Sequence, residues 1–386
     1  MSLRVVSSVL LAALACRGQE PVPAPTPTPE GEPASAPPAA TELERRVDRL
    51  FRGAARPGVP GAVVLVAQGD RVLLRKAYGL ADVERQVPLT VDSRFDLGST
   101  SKQFTAACVL LLEQDGRLAL ADPVRRHVGE LQDCCAPVTL RHLMLHTSGI
   151  PDYIGLLLTA GRQLEDRTTM ADALEQLALV TALEFPCGTD WAYSNSNYLL
   201  LSLVVERVAG RSLAAFAEER LFAPLGMTRT HVHTDCTRLV PQRALSYTRD
   251  ARDGWRWCFS NWEQTGDGAV FSTVDDLWTW ARNFTAPQAG LDALVAAMAA
   301  PGTLDDGRPI DYGTGLVHGE LDGLRSVRHG GAWAAYRAEL LRLPERDLTV
   351  VCLCNRDDLE PSERAAAIAR IALASANPRG TERSPR

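Results

Sequence analysis

Residues 98–107 read GSTSKQFTAA, and the lysine at 102 decides how the rest of the chain is read. The chain carries 41 basic residues, and two of them, Lys76 and Lys102, are lysines. Arginine replaces lysine on most solvated surfaces, but a guanidinium stays charged at any working pH. A lysine kept where arginine is used almost everywhere else points to an amine that must give up its proton. Lys102 stands three residues after Ser99. From Phe104 to Leu112 the sequence is apolar on every side, and Gly116 stands where a helix should stop. Such a helix is buried. Ser99 and Lys102 are therefore expected in its first turn, on one face, at the edge of the core.

Working outward, a helical pattern starts at Thr41, and GAVVLVAQGDRVLLRKAYG reads as two strands joined at Gly69-Asp70. Strand character returns late, in GLRSVRHGG, AYRAELLRLPE and LTVVCLCN, ahead of a helix at PSERAAAIARIALASAN. Two strands at the front and three at the back imply one antiparallel sheet assembled from both ends of the chain. The terminal helices would cover one face. Residues 99–289 read mainly as helix and loop and would form a second lobe, with Ser272-x-x-Asp275 capping a helix. The sheet lobe would take about 41–98 and 290–376. A site is expected in the cleft between lobes.

Two further motifs follow in order. Tyr193-Ser194-Asn195 lies on a loop before a helix, and His329-Gly330-Gly331 begins where a strand ends. With S-x-x-K, Y-x-N and H-x-G in this order, and with LMLHTSGIPDY (143–153) and GDGAVFSTVDDL (266–277), the chain resembles the serine β-lactamase and penicillin-binding-protein superfamily. The resemblance is closest to the class C β-lactamase-like branch, with its DD-peptidases and family VIII carboxylesterases, and covers roughly residues 55–356. It implies an α/β (α+β) fold of β-lactamase/transpeptidase type: a five-stranded antiparallel sheet flanked by helices, plus a mainly helical lobe.

The resemblance also implies roles. Ser99 would be the nucleophile and Lys102 its base. Tyr193 would relay protons, and Asn195 would orient the lysine and the substrate carbonyl. The backbone N–H groups of Ser99 and Ala332 would form the oxyanion hole. Gly331 would keep the strand open to substrate. Where β-lactamases of this branch have lysine, this chain has His329, a weaker and switchable anchor for a substrate carboxylate. The expected enzyme is thus a serine hydrolase acting on an ester or amide, in a small molecule or a peptide. The alternatives are a D-Ala-D-Ala carboxypeptidase or β-lactamase, and a non-catalytic binding protein.

Other signals carry less. His231-x-His233 lacks a third ligand at a recognised spacing, so no metal is expected, and no cofactor. His146 reads as a structural loop histidine, Gly313-Thr314-Gly315 as a strand end or turn, and Lys76 as a solvated strand residue. No G-x-S-x-G elbow or H-E-x-x-H zinc motif occurs.

A net charge of −6 and a pI near 5.7, without a basic run, argue against a nucleic-acid partner. Residues 1–15 read as a signal peptide: Arg4, then a mostly apolar run from Val5 to Ala15, too short to span a bilayer. Ala13-Leu14-Ala15 fits an ordinary cleavage site, and Ala15-Cys16 resembles a bacterial lipoprotein site with Cys16 lipidated. Residues 16–40 form a proline-rich tether able to reach roughly 70 Å at about 3.1 Å per residue. The expectation is an exported monomer anchored to the cell envelope by a lipid, or else secreted, with a disordered tail over 377–386. The cysteine spacings suggest no disulfide framework, and most thiols are expected to be free and buried.

Overall fold

The structure is a computed structural model and describes residues 41–376 apart from 251, 253 and 289. The signal peptide, Cys16, the tether and the C-terminal tail lie outside the described residues.

Thr41 caps the first helix, α1 (Glu42–Leu50), by accepting from the Glu44 backbone N–H at 3.1 Å. Strands β1 (Ala62–Gln68) and β2 (Arg71–Tyr78) follow, joined by the expected turn at Gly69-Asp70. Near the other end come β3 (Pro301–Thr303), β4 (Pro309–Gly313), β5 (Val317–Leu321), β6 (Leu324–Trp333), β7 (Tyr336–Leu343) and β8 (Leu348–Cys354). They form one sheet in the order β3-β4-β5-β6-β7-β8-β1-β2, antiparallel throughout. The two ends of the chain meet at β1 and β8, where Val64 lies opposite Cys352. The five expected strands are all present, and β3 to β5 extend the sheet beyond them. These three are short and carry little apolar alternation, so their pattern resembles that of loops.

Strand β1 is buried on both faces, which its unbroken run AVVLVA anticipates. Ala62, Val64 and Val66 pack with Cys352 and Cys354 under α1 and the C-terminal helix Pro361–Ala376. Val63 and Leu65 face the other way, into the larger core with Val351 and Leu353. The middle of the chain is mainly helical, with a three-stranded sheet of Phe95–Asp96, Val270–Ser272 and His231–Val232.

Several local expectations need correction. The helix Val274–Arg282 is capped one residue later than Ser272-x-x-Asp275 suggests. Ser272 ends a strand, and Thr273 Oγ1 accepts from the Asp276 N–H at 3.3 Å. His329-Gly330-Gly331 lies inside β6, which runs on to Trp333. Lys76 is clamped by Glu44 and Asp48 of α1 at 2.7 and 2.8 Å. The described cysteines are all free, but Cys134, Cys187, Cys236 and Cys258 are half-buried. Among the described residues no helix is long and apolar enough to cross a membrane.

Candidate active site

Ser99 sits in a single 3₁₀ turn, Gly98–Ser101, which runs directly into the helix Lys102–Gln114. The turn is held from below and from the side. Asp96 Oδ1 accepts from the Gly98 N–H at 2.8 Å, and Thr100 Oγ1 donates to the His329 carbonyl at 3.1 Å. Gly98 has φ +48°, and a Cβ there would lie 2.7 Å from Ala332 N. A Cβ on Gly331 would fall 1.8 Å from the Leu97 carbonyl oxygen. Gly331 is thus required by the close approach of the segment leading into the Ser99 turn to β6, a more local reason than room for substrate.

Lys102 is fully buried. Its Nζ lies 3.1 Å from Ser99 Oγ, 2.8 Å from Asn195 Oδ1 and 2.7 Å from the Asp267 carbonyl oxygen. The rings of Tyr193 and Tyr198 flank it at 4.9 and 5.8 Å. Asn195 opens the helix Asn195–Ala209, and its amide has a fixed direction. Asp152 Oδ2 accepts from both the Asn195 backbone N–H and Nδ2, at 2.7 and 2.8 Å, which leaves Oδ1 for the lysine. Tyr193 is 37% exposed and stacks on His146 at 4.3 Å. His146, in the left-handed region at the end of the helix Leu140–Leu145, accepts from the Ser194 N–H at 3.2 Å. Burial holds its pKa well below the usual value, so it serves the loop as a neutral ring.

His329 is not the switchable anchor expected of it. Burial, reinforced by the Lys102 charge, pulls its pKa down to about 3. Its Nδ1 lies 2.6 Å from the Gly330 carbonyl and must carry the proton, and Nε2, 3.2 Å from Tyr312 Oη, then accepts from the phenol. No N–H is left to offer a substrate. Nor do the neighbouring arginines supply the charge. Arg328 reaches Glu339 at 3.4 Å, and Arg337 donates to the carbonyls of Ala334 and Tyr336 at 3.1 and 2.7 Å.

The structure therefore brings Ser99, Lys102, Tyr193, Asn195, His329, Gly331 and Ala332 together. Two hollows flank them. One, of about 190 Å³, is lined by Ser99, Asn195, Ala332, Asp96 and Asp267. The other, of about 490 Å³, lies between Trp191, Tyr193, Tyr312 and His329. Asp152, Asp267 and Tyr312 are site residues that motif reading did not single out, although the first two fall within the segments 143–153 and 266–277 that carry the family likeness. His231 and His233 pack on Phe271, with ring centres 5.9 and 5.2 Å from it. Gly313 ends β4, and Gly315 (φ +73°) packs its backbone against Gln103.

This arrangement can move a proton between a buried amine and a hydroxyl beside a substrate-sized opening. Comparison with known proteins gives the family. A family model described as Beta-lactamase matches residues 47–375. A D-aminopeptidase of Gluconobacter oxydans is 31% identical over 299 residues, covering 78% of this chain and 56% of that protein. Penicillin-binding protein 4* of Bacillus subtilis is 32% identical over 319 residues, 78% of this chain and 69% of the relative. The chain thus spans little more than half the length of the D-aminopeptidase it matches. The octameric penicillin-binding protein homologue of Pyrococcus abyssi shares the fold, with a TM-score of 0.74 at 24% identity over 89% of this chain and 79% of that one. On the family match and these relatives, the chain belongs to the beta-lactamase family, within the β-lactamase and penicillin-binding-protein superfamily.

Proposed function

We propose that the protein cleaves an ester or amide through an acyl-enzyme on Ser99, with a substrate whose leaving group carries no carboxylate. One observation carries the mechanism: the partners of Lys102 Nζ. Asn195 Oδ1 and the Asp267 carbonyl can only accept, so they take two N–H bonds of the amine. The third direction faces Ser99 Oγ. A neutral Lys102 must therefore aim its lone pair at the serine hydroxyl, which is the orientation a general base needs.

In this reading Lys102 accepts the Ser99 proton as Oγ attacks the carbonyl carbon. The N–H groups of Ser99 and Ala332 receive the developing oxyanion. Tyr193, beside the lysine and open to the cleft, passes a proton to the departing alcohol or amine and later activates the water that releases the acyl group. Asn195 holds the lysine and the substrate.

The leaving-group preference rests on His329. A penicillin or a D-Ala-D-Ala peptide presents a carboxylate, and the neutral, fully engaged ring supports no charged contact with it. The carboxypeptidase and β-lactamase readings are weaker for that reason. A purely binding role is disfavoured by the intact Ser99–Lys102–Tyr193 group. The test is kcat/KM for p-nitrophenyl butyrate against nitrocefin: the ester should be faster, and a tenfold preference for nitrocefin would overturn the reading.

Export belongs to the same proposal. Residues 1–15 would be removed, and Cys16 lipidated to hold the enzyme at the cell envelope. Mass spectrometry of the mature N-terminus decides it: Cys16 with a lipid supports the anchor, and a chain retaining Met1 contradicts export.

A further inference from the structure

Away from Ser99, a second nucleophile, a base and a carboxylate stand in line. Cys187 Sγ is 2.9 Å from His142 Nδ1, and His142 Nε2 is 3.2 Å from both carboxylate oxygens of Asp305. Cys187 sits in the loop ahead of Tyr193, His142 in the helix Leu140–Leu145, and Asp305 in the turn between β3 and β4. The state of the ring is set independently of the thiol, because the Thr139 backbone N–H donates to Nδ1 at 3.1 Å. Nδ1 is therefore an acceptor, and Nε2 carries the hydrogen that Asp305 receives. A neutral imidazole thus turns its lone pair to the thiol while a carboxylate orients it from behind. That is how a weak nucleophile is activated.

Burial, with the Asp305 charge adding to it, pushes the Cys187 thiol up to about 12. Free thiolate is scarce at neutral pH, so the sulfur depends on a base in contact, as a serine hydroxyl does. Arg141, 3.9 Å from Asp305, and Cys135, which acts through space, are the further ionisable groups at the cluster. Cys187 is half-buried and lines neither hollow at Ser99, which suits it to a small diffusing reagent rather than to the enzyme's own substrate.

The cluster also joins the two segments that hold Tyr193. The helix bearing His142 ends at His146, whose ring stacks on Tyr193 at 4.3 Å. Next to Cys187, the Gly188 N–H donates to the Thr147 carbonyl at 2.8 Å and its carbonyl accepts from the Asp305 N–H at 3.0 Å. Further along the same segment, the Ala192 N–H donates to the His146 carbonyl at 3.1 Å. The packing is close, since a Cβ on Gly188 would fall 2.0 Å from Asp305 Oδ2. A group attached to Cys187 Sγ removes the S–H donor and needs room between these segments.

We propose that Cys187 is a thiol-modification site: with His142 as base it exchanges with small disulfides, and the adduct slows the Ser99 reaction through the Tyr193 segment. In the step, Sγ attacks one sulfur of the reagent as the thiol proton passes to His142 Nδ1. Thr139 Oγ1, 3.1 Å from that nitrogen, can accept from it once it is protonated. A bond between Cys187 and the reagent sulfur forms, the reagent's own S–S bond breaks, and the departing thiolate recovers the proton. A thiol and a disulfide enter and a thiol and a disulfide leave, so no other oxidant is required. The effect on turnover rests on the reading of Ser99 as nucleophile, whereas the exchange itself does not.

The probe is 2,2′-dithiodipyridine, added in limiting amount to the full chain, with peptide mass spectrometry locating the adduct. At pH 7 Cys187 should react at least about tenfold faster than Cys236 and Cys258, which are half-buried but among the described residues have no histidine in hydrogen-bond contact. Its rate should change by less than about threefold from pH 7 to 9, whereas a rate set by the thiolate fraction climbs about tenfold per pH unit. His142→Gln should slow the labelling of Cys187 by about tenfold or more, and Asp305→Asn by less. Turnover of p-nitrophenyl butyrate should fall at least about threefold on labelling and return with dithiothreitol, and Cys187→Ser should be insensitive to the probe. Labelling first at another thiol, a Cys187 rate that climbs with the thiolate fraction, or unchanged turnover of the labelled enzyme would each overturn the proposal. So would an equal loss of turnover in probe-treated Cys187→Ser. An enzyme that hydrolyses no butyrate before labelling would instead strike the Ser99 reading. The labelling order and pH profile of the wild type decide the exchange even if the His142 variant does not fold.

Discussion

The nucleophile turn and the substrate-facing hollows are built on opposite terms. Around Ser99 and Lys102 every contact is fixed from several sides. Asp96 and Thr100 pin the turn, Gly98 and Gly331 let it press on β6, and Asn195 and Asp267 hold the amine. The hollows are open by comparison. His329 stands neutral at the wall of one, and Asp267, which lines the other, has its carboxylate hydrogen-bonded by the Tyr153 phenol with the Lys102 charge acting on it through space. The difference separates two jobs. Proton transfer needs geometry settled before substrate arrives, whereas recognition needs groups that only a substrate completes.

The settled region should break most sharply. In Lys102→Arg the guanidinium stays charged and cannot accept a proton, so turnover of p-nitrophenyl butyrate should fall on the order of 10³-fold or more. A variant within tenfold of wild type would show that the amine is not the base. Asp152 tests the next layer. Without its carboxylate the Asn195 amide is free to turn its Nδ2 toward Lys102, putting a donor where the amine needs an acceptor. Asp152→Ala should cost about 10²-fold in kcat, with a smaller change in KM. An effect confined to KM would place Asp152 in binding instead.

The hollows should respond by changing preference. His329→Lys would restore a fixed cation, and the nitrocefin-to-butyrate ratio in kcat/KM should rise by about tenfold or more. A ratio that stays flat would mean that the carboxylate is not what His329 excludes. Asp267 supplies the smallest effect, in stability. Its carboxyl titrates at about 6 in the fold against 3.8 ordinarily, so the native state binds more protons between those values and stability falls as pH rises from about 4 to 6. Asp267→Asn should therefore raise the melting temperature by several degrees above pH 6, an effect on the order of 3 kcal/mol, and the gain should vanish below pH 4. An equal change at both pH values would mean that the burial cost of the charge is not the cause.

Much of the settled region was legible in the sequence because it rests on residue types with few substitutes. A lysine among arginines singled out Lys102, and an all-round apolar run placed Ser99 and Lys102 at the start of a buried helix. The paired runs at both ends announced the sheet. Strands β3 to β5 were not legible, since Gly, His and Glu on a half-exposed edge break the alternation. The hollows were harder still. Whether His329 carries a charge depends on burial and on Tyr312, 17 residues earlier. Asp152 and Asp267 sit in loops, where aspartate ordinarily reads as a turn residue, and their partners lie 43 and 114 positions away. The packing demand on Gly331 was not legible either, because the Leu97 carbonyl that excludes a side chain there lies far away in the sequence.

The central claim is that Ser99 becomes acylated and that Lys102 makes it do so. Mapping the adduct of a fluorophosphonate by peptide mass spectrometry tests this most directly. A single modification on Ser99 in the wild type, lost in step with esterase activity and largely absent from Lys102→Arg, is the expected result. Activity that survives with Ser99 unmodified, or an adduct on another residue, would contradict the account.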